Sequence, residues 1–155
     1  MKPYKKAMSV IVVISFIIVS SIVVTSKVYF FNPFTFKKDH ITYLSWKNYK
    51  NPVSLTVEYY DDQFKGIHKS IQNKGEILHV LKELKTAPRT SHYIAPTSFD
   101  KSREFYQLTL LGNKNEVMLF ATVYTYDQMV VVNKDSDIEE TMKVSKEFMD
   151  YLNSL

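Results

Sequence analysis

An uncharged hydrophobic run close to the N-terminus constrains this chain more than any other feature. Residues 7–26 contain no charged side chain and consist mainly of Ile and Val. As a helix, roughly 20 residues at about 1.5 Å each span the ~30 Å hydrocarbon core of a bilayer. A bilayer interior offers backbone amides no other partner, so even β-branched residues are helical there. The run therefore predicts a transmembrane anchor.

The flanking charges predict the direction of this anchor. Lys2, Lys5 and Lys6 precede the run, whereas only Lys27 follows it closely. Positive charge is retained on the cytoplasmic side, so we expect residues 1–6 to be a cytoplasmic tail of a single-pass protein. The rest of the chain would then be extracytoplasmic. The alternative is a cleaved signal peptide, but the run exceeds the usual apolar core of about 7–15 residues and no Ala-x-Ala site follows.

Composition limits the chemistry of the remainder. With 155 residues there is room for one domain besides the anchor. The net charge of +4 falls to about +1 without the three leading lysines, so nucleic-acid binding is not supported. The absence of cysteine excludes disulfides, thiolate metal ligands, a cysteine nucleophile and a lipid-modified cysteine. Lys27, Lys37 and Lys38 could lie near anionic lipid, although solvated surface lysines are commoner.

Residues 27–52 are predicted to be a juxtamembrane tether. Asn32-Pro33 and Asn51-Pro52 interrupt regular structure there, and a short strand is expected at 41–44. Aromatic residues after the anchor would form either an interfacial collar or an edge contact of the domain; they are Tyr29, Phe30, Phe31, Phe34 and Phe36.

Residues 53–155 are predicted to form an α+β domain that begins with a β-hairpin. Apolar residues alternate with polar ones from Val53 to Tyr60, and a second strand is expected at 64–71. Asn73 and Glu76 then resemble a capping box that opens a helix ended by Pro88. The apolar stripe of this helix is expected to be Ile77, Leu78, Leu81 and Leu84.

The second half of the domain is predicted to be a three-stranded meander followed by a helix. The strands are expected at 104–111, 117–125 and 129–133, with 117–126 central because it is apolar on both faces. Ser136 and Glu139 suggest a second capping box, whose helix would carry the stripe Ile138, Met142, Ser145, Met149 and Leu152. The expected fold class is an antiparallel sheet, hairpin plus meander, packed by two helices.

Two motifs resemble catalytic or metal sites only weakly. Ser98 and Lys101 fit S-x-x-K, in which the lysine activates the serine, but the partner motifs of that chemistry are missing. Asn133, Asp135, Asp137 and Glu139 alternate like the start of a calcium loop, yet Val144 stands where a bidentate carboxylate is required. Helix capping explains these acids better.

Other candidate side chains are scattered. The histidines lack the close spacing of a metal site; they are His40, His68, His79 and His92. Gly66, Gly75 and Gly112 stand too far apart for a phosphate loop. A ligand-binding face could come from the strand tyrosines, although sheet packing is the commoner role; they are Tyr59, Tyr60, Tyr106, Tyr124 and Tyr126. No catalytic, cofactor-binding or metal-ligating residue is therefore predicted.

The order of elements resembles one family. A helix at 77–87 after a hairpin, then Tyr106-Gln107-Leu108-Thr109 and the meander behind a hydrophobic leader, is similar to small extracytoplasmic, YhfM-like proteins of low-GC Gram-positive bacteria. Many of these are lipoproteins, and this chain departs from them by lacking the lipobox cysteine. The resemblance implies no established activity.

The function expected from the sequence is a membrane-anchored extracytoplasmic binding or regulatory module with a protein or cell-envelope partner. One alternative is a cell-surface hydrolase of wall or peptide substrates, with Ser98, Lys101 and His92 as first candidates. Another is a structural subunit of a membrane complex, in which the anchor makes the contacts. Exchanging residues 7–26 for an unrelated helix separates the structural subunit from the surface module, since a surface module should tolerate the exchange.

Overall fold

The structure, a computed structural model, describes residues 3–61, 66–90, 104–133 and 139–155. In this part of the chain the elements are α1 (Pro3–Val28), a 3-10 turn (Trp46–Asn48), β1 (Ser54–Tyr60), β2 (Gly66–Ile71), α2 (Lys74–Thr86), β3 (Phe105–Leu111), β4 (Val117–Tyr124), β5 (Met129–Asn133), β6 (Glu139–Lys143) and α3 (Lys146–Asn153).

All strands belong to one antiparallel sheet. Its order is β2-β1-β3-β4-β5-β6, so β3 and β4 occupy the centre. The α+β class, the hairpin, the meander and the central position of β4 are confirmed. The sixth strand, β6, was not expected.

The core lies on one face of this sheet. The register aligns Val57, Leu108, Ala121 and Val132 in a row across β1, β3, β4 and β5, and all four are buried. Because side chains alternate along a strand, the neighbouring residues point to the other face. Helices α2 and α3 contribute buried side chains to the same cluster.

Helix α2 begins where the sequence predicts. The Asn73 side chain accepts hydrogen bonds from the amides of Gly75 at 2.8 Å and Glu76 at 3.2 Å, which satisfies two amides of the first turn. The prediction that Leu78 belongs to the apolar stripe is wrong, because Leu78 is exposed and Val80 is buried instead. Val80 lies three residues after Ile77, which places both on the same face of the helix.

The prediction for the start of the last helix is wrong. Glu139 to Lys143 pair with β5 as strand β6, and Met142 is buried opposite Val130. Helix α3 begins later, where the Ser145 hydroxyl accepts a hydrogen bond from the Phe148 amide at 3.1 Å. The strand is favoured because it places Met142 in the core while the helix still buries Phe148, Met149 and Leu152.

The segment predicted to be a tether contributes to the core. Phe30, Ile41 and Tyr49 are buried in the same cluster as the sheet residues, so the folded unit begins before residue 53. The strand expected at 41–44 is not formed. Asp39 instead organises a turn there, and its carboxylate accepts hydrogen bonds from the amides of Ile41 at 2.9 Å and Thr42 at 2.7 Å.

Helix α1 stands apart from this core. Its segment Val10–Val28 is long and apolar enough to cross a membrane, and none of it is buried. A signal sequence near an N-terminus passes the same test of length and hydropathy. Two hydroxyls in the second half of α1 are satisfied within the helix, since Ser21 donates to the Ile17 carbonyl at 2.8 Å and Thr25 to the Ser21 carbonyl at 2.7 Å.

Candidate functional site

An open cleft of about 220 Å³ lies between the core face of the sheet and the end of α3. The cleft lies over the part of the sheet that β2, β1 and β3 form. Its lining consists of apolar side chains with a few polar ones: Val57, Tyr59, Ile67, Lys69, Tyr106, Leu152, Asn153 and Leu155. Ligand sites in proteins typically combine an apolar wall with a few polar groups.

Strand register brings these residues together. Tyr59 pairs with Ile67 on one side and with Tyr106 on the other, so the three form a row across β2, β1 and β3. Val57 and Lys69 form the next row on the same face. The two tyrosine rings lie 5.0 Å apart between centroids. The floor of the cleft is therefore part of the sheet itself.

The other wall is the C-terminal end of α3. Leu152 lies on the buried side of this helix, which ends at Asn153. The Tyr106 hydroxyl donates a hydrogen bond to Asn153 Oδ1 at 2.7 Å, and Lys69 Nζ donates to the main-chain oxygen of Leu155 at 2.8 Å. These two hydrogen bonds connect Asn153 and Leu155 to strands β3 and β2, respectively.

The tyrosines are hydrogen-bond donors at neutral pH. Burial, together with a hydrogen bond to the Glu104 carboxylate and its charge, raises the pKa of Tyr59 to about 12. Burial and the charge of Glu104 also raise the pKa of Tyr106. Among the eight described residues of the lining, none carries an imidazole or a carboxylate side chain. The lining of the cleft thus combines an apolar surface with hydrogen-bond donors that can bind a polar group.

The cleft opens beside an edge of the sheet. Residues 66–70 of β2 are exposed, and within the described chain β2 pairs only with β1. Ile67, which lines the cleft, is 70% exposed. An uncovered edge strand presents unpaired N–H and C=O groups to any extended chain that approaches it.

The opposite edge is covered. The Lys143 amide of β6 donates to the Pro88 carbonyl at 3.0 Å, and the Thr90 amide donates to the Thr141 carbonyl at 2.9 Å. Arg89 and Met142 form an antiparallel bridge. The segment after α2 therefore closes the β6 edge, and the difference between the edges singles out β2.

The predicted tyrosine face is divided between the two sides of the sheet. Tyr59 and Tyr106 are on the core face in the cleft. Tyr60 is on the outer face, where its ring stacks on Phe105 at 5.0 Å, and Tyr124 lies 6.3 Å beyond Phe105. These outer residues form a row in one register position across β1, β3 and β4.

The histidines of the described chain are not brought together. His68 on β2 lies 3.3 Å from Glu58 Oε1, whereas the His79 ring on α2 contacts Tyr151 at 4.9 Å. His40 is half-buried beside Ile41, in the segment before β1. Within the described ranges, no three His, Asp or Glu side chains are placed to share a metal ion.

The remaining candidates fall largely outside the described residues. This applies to Ser98, Lys101 and His92 of the hydrolase hypothesis and to Asp135 and Asp137 of the calcium-like pattern. The backbone of Glu139 is in β6, opposite Asn133. Sequence reasoning missed Ile67, Lys69 and Asn153. Their signal was weak, because only the alternation along β2 and the apolar stripe of α3 point to them.

Comparisons with protein family models, with curated proteins and with solved structures found no match. The cleft, the β2 edge and helix α1 are the features of the described chain that bear on its function.

Proposed function

We propose that this protein is a membrane-anchored binding module whose domain lies outside the cytoplasm and binds extended peptide segments at the β2 edge. The observation that supports this most directly is the cleft beside an edge strand that no other described strand covers. In peptide-binding domains that add a strand to a sheet, main-chain hydrogen bonds supply affinity and a neighbouring pocket supplies specificity. Both components are adjacent here.

Helix α1 supports the anchor. Its large apolar side chains are exposed along the whole segment Val10–Val28, which an aqueous environment would disfavour. The hydrogen bonds of Ser21 and Thr25 to helix carbonyls leave these hydroxyls compatible with hydrocarbon. Lys2, Lys5 and Lys6 on the N-terminal side favour a cytoplasmic N-terminus.

The lining of the cleft indicates what a bound peptide would offer. Val57, Ile67 and Leu152 form an apolar surface suited to one aliphatic or aromatic side chain. A peptide strand beside β2 projects alternate side chains to the core face, so one of them would enter the cleft. Lys69 lies at the rim and would favour a carboxylate next to that side chain.

The experiment is a selection of displayed random peptides on the full chain in lipid nanodiscs. We expect enriched peptides to bind wild type, to lose at least roughly tenfold affinity with Ile67→Glu, and to bind Val117→Glu as wild type. Val117 is the matched control, because it is also an aliphatic strand residue and is 60% exposed, but it does not line the cleft. Hydrogen exchange should show protection of amides 66–70 in the complex.

Three outcomes contradict the peptide site. The first is that the selection enriches no peptide, and the second is that the enriched peptides bind the Ile67→Glu and Val117→Glu variants equally. The third is protection of β6 rather than β2 amides, which would place the site at the other edge. None of these outcomes affects the proposed anchor, which is measured separately.

A further inference from the structure

The domain extends alongside the end of helix α1. Ile22 and Thr25 of α1, the turn Asn32–Phe34 and Lys74 at the start of α2 line one small hollow of about 50 Å³. Ile22 lies six residues before the end of the helix, which corresponds to roughly 9 Å along its axis. Phe34 and Lys74 therefore lie beside the last two turns of α1.

Hydrogen bonds fix the helix relative to the domain. The Asn51 amide donates to the Val28 carbonyl at 2.9 Å, and its side-chain nitrogen donates to the Lys27 carbonyl at 3.0 Å. The Phe30 amide donates to the Tyr49 carbonyl at 2.8 Å. Since Tyr49 is buried in the core, these bonds connect the end of α1 directly to the folded domain.

The surface around the joint combines aromatic and cationic side chains. We call it the membrane-proximal face and define it as Lys27, Tyr29, Phe34, Trp46, Lys47 and Lys74. Tyr29 and Trp46 contact each other edge to face with centroids 4.7 Å apart, and Phe34 is 79% exposed. The three lysines are exposed. Aromatic residues concentrate at membrane interfaces, and lysines there attract anionic headgroups.

The other aromatic residues of the predicted collar belong to the domain. Phe30 is buried, whereas Phe31 and Phe36 are partly buried and pack against the core. The ring centroids of Phe31 and Phe36 lie 4.7 Å apart. Phe34 is not among the residues packed against the core and is exposed beside the end of α1. Its position beside the apolar helix α1 favours a lipid environment for this side chain.

We propose that the membrane-proximal face rests in the headgroup layer of an anionic bilayer, with Phe34 and Trp46 inserted and the lysines on lipid phosphates. The domain is then held flat against the membrane in one orientation. This inference depends on the proposed anchoring of α1, but it is independent of the peptide site.

Trp46 allows a direct test, because it is the only tryptophan of the chain. The full chain is reconstituted into vesicles of phosphatidylglycerol and phosphatidylcholine, and Trp46 fluorescence is measured with nitroxides placed at the headgroup or deep in the acyl chains. We expect blue-shifted emission, stronger quenching by the headgroup nitroxide, and loss of quenching by acrylamide in the water.

Variants separate the face from the anchor. Phe34→Ser and the double variant Lys47→Glu, Lys74→Glu should increase acrylamide quenching, and the charge variant should do so in phosphatidylglycerol but not in pure phosphatidylcholine. Val117→Ser, an aliphatic residue of β4 outside the face, should leave the spectra unchanged. Flotation of the vesicles in a density gradient reports the anchor independently of Trp46.

Floating protein whose Trp46 is quenched by acrylamide as in water overturns the headgroup contact and leaves the anchor intact. Protein that does not float overturns the anchor and this inference together. Identical quenching in anionic and neutral vesicles overturns the role assigned to the lysines.

Discussion

At the scale of single residues, Asp39 connects the segment after α1 to the domain. Its Oδ2 accepts a hydrogen bond from the Thr42 hydroxyl at 3.0 Å. The same oxygen forms an ion pair with Lys85 Nζ at 2.8 Å. Thr42 is completely buried, so its polar atoms depend on partners within the protein. Lys85 belongs to α2, and its ammonium also lies 5.8 Å from the Phe31 ring.

Replacing this carboxylate should destabilise the domain. Asp39→Ala removes the acceptor of the Thr42 hydroxyl and of two amides, and a buried donor left unsatisfied costs on the order of 2 kcal/mol. Urea unfolding of the full chain in detergent micelles measures the loss. Asp150→Ala, at an exposed position of α3, is the control, and an equal loss in both variants would contradict the role of Asp39.

The same carboxylate should make stability depend on acid pH. Burial by itself would raise the pKa of Asp39, but the Lys85 ammonium and the amides of Thr42 and Ile41 outweigh it, so the pKa lies below its ordinary value of 3.8. A depressed folded-state pKa stabilises the fold fully above that ordinary value and progressively less as pH falls through the folded value.

Wild type should therefore lose stability when the pH is lowered from about 4 towards about 2, and Asp39→Asn should lack this part of the loss. The unfolding free energies of wild type and Asp39→Asn, measured across that pH interval, test this prediction. Parallel curves for the two proteins would show that Asp39 does not titrate as described.

At the scale of elements, the boundary between β6 and α3 is the clearest departure from the sequence pattern. Ser136 and Ser145 both precede apolar residues at helical spacing, and a pattern alone does not choose between them. The pairing of β5 with β6 decides in favour of Ser145, because it is a long-range interaction that local spacing does not contain.

Removing the Ser145 hydroxyl should weaken α3. Ser145→Ala leaves the Phe148 amide without its partner, and the loss of such a cap costs about 1 kcal/mol. Thermal or urea unfolding of Ser145→Ala and Ser136→Ala in the same detergent compares the two candidate caps. A larger loss for Ser136→Ala would contradict the helix start at Lys146.

Elements that depend on residues close together in sequence could be predicted from the sequence. The Asn73 cap and the alternation from Val53 to Tyr60 depend on neighbours in sequence, and both predictions agree with the structure. The cleft was not predictable, because Ile67 and Lys69 reach it through strand register and Asn153 through the docking of α3. The burial of Ile41 and Tyr49 likewise comes from packing between distant parts of the chain.

At the scale of the whole molecule, the joint between helix and domain changes what an anchor exchange should show. Ile22 and Thr25 line the hollow between α1 and the domain, whereas none of the segment Val10–Val28 is buried in the described structure. Replacing residues 7–20 by an unrelated apolar helix should leave domain stability unchanged. Replacing residues 21–28 as well should lower it, as protease digestion of the reconstituted protein would show.

An equal effect of the two exchanges would contradict the joint. A large effect of the first exchange on function would instead favour the structural-subunit alternative, in which α1 itself makes the contacts.

Both proposals require that α1 is retained in the membrane with the domain outside the cytoplasm. The chain has no cysteine, so single cysteines introduced by Lys5→Cys and Lys114→Cys can be labelled individually with a membrane-impermeant maleimide in intact cells. Lys114 lies exposed in the turn between β3 and β4. We predict labelling of Lys114→Cys in intact cells and of Lys5→Cys only after permeabilisation, both on protein of full length. Labelling of Lys5→Cys alone in intact cells, or a mature protein that begins near Lys27, would contradict the account.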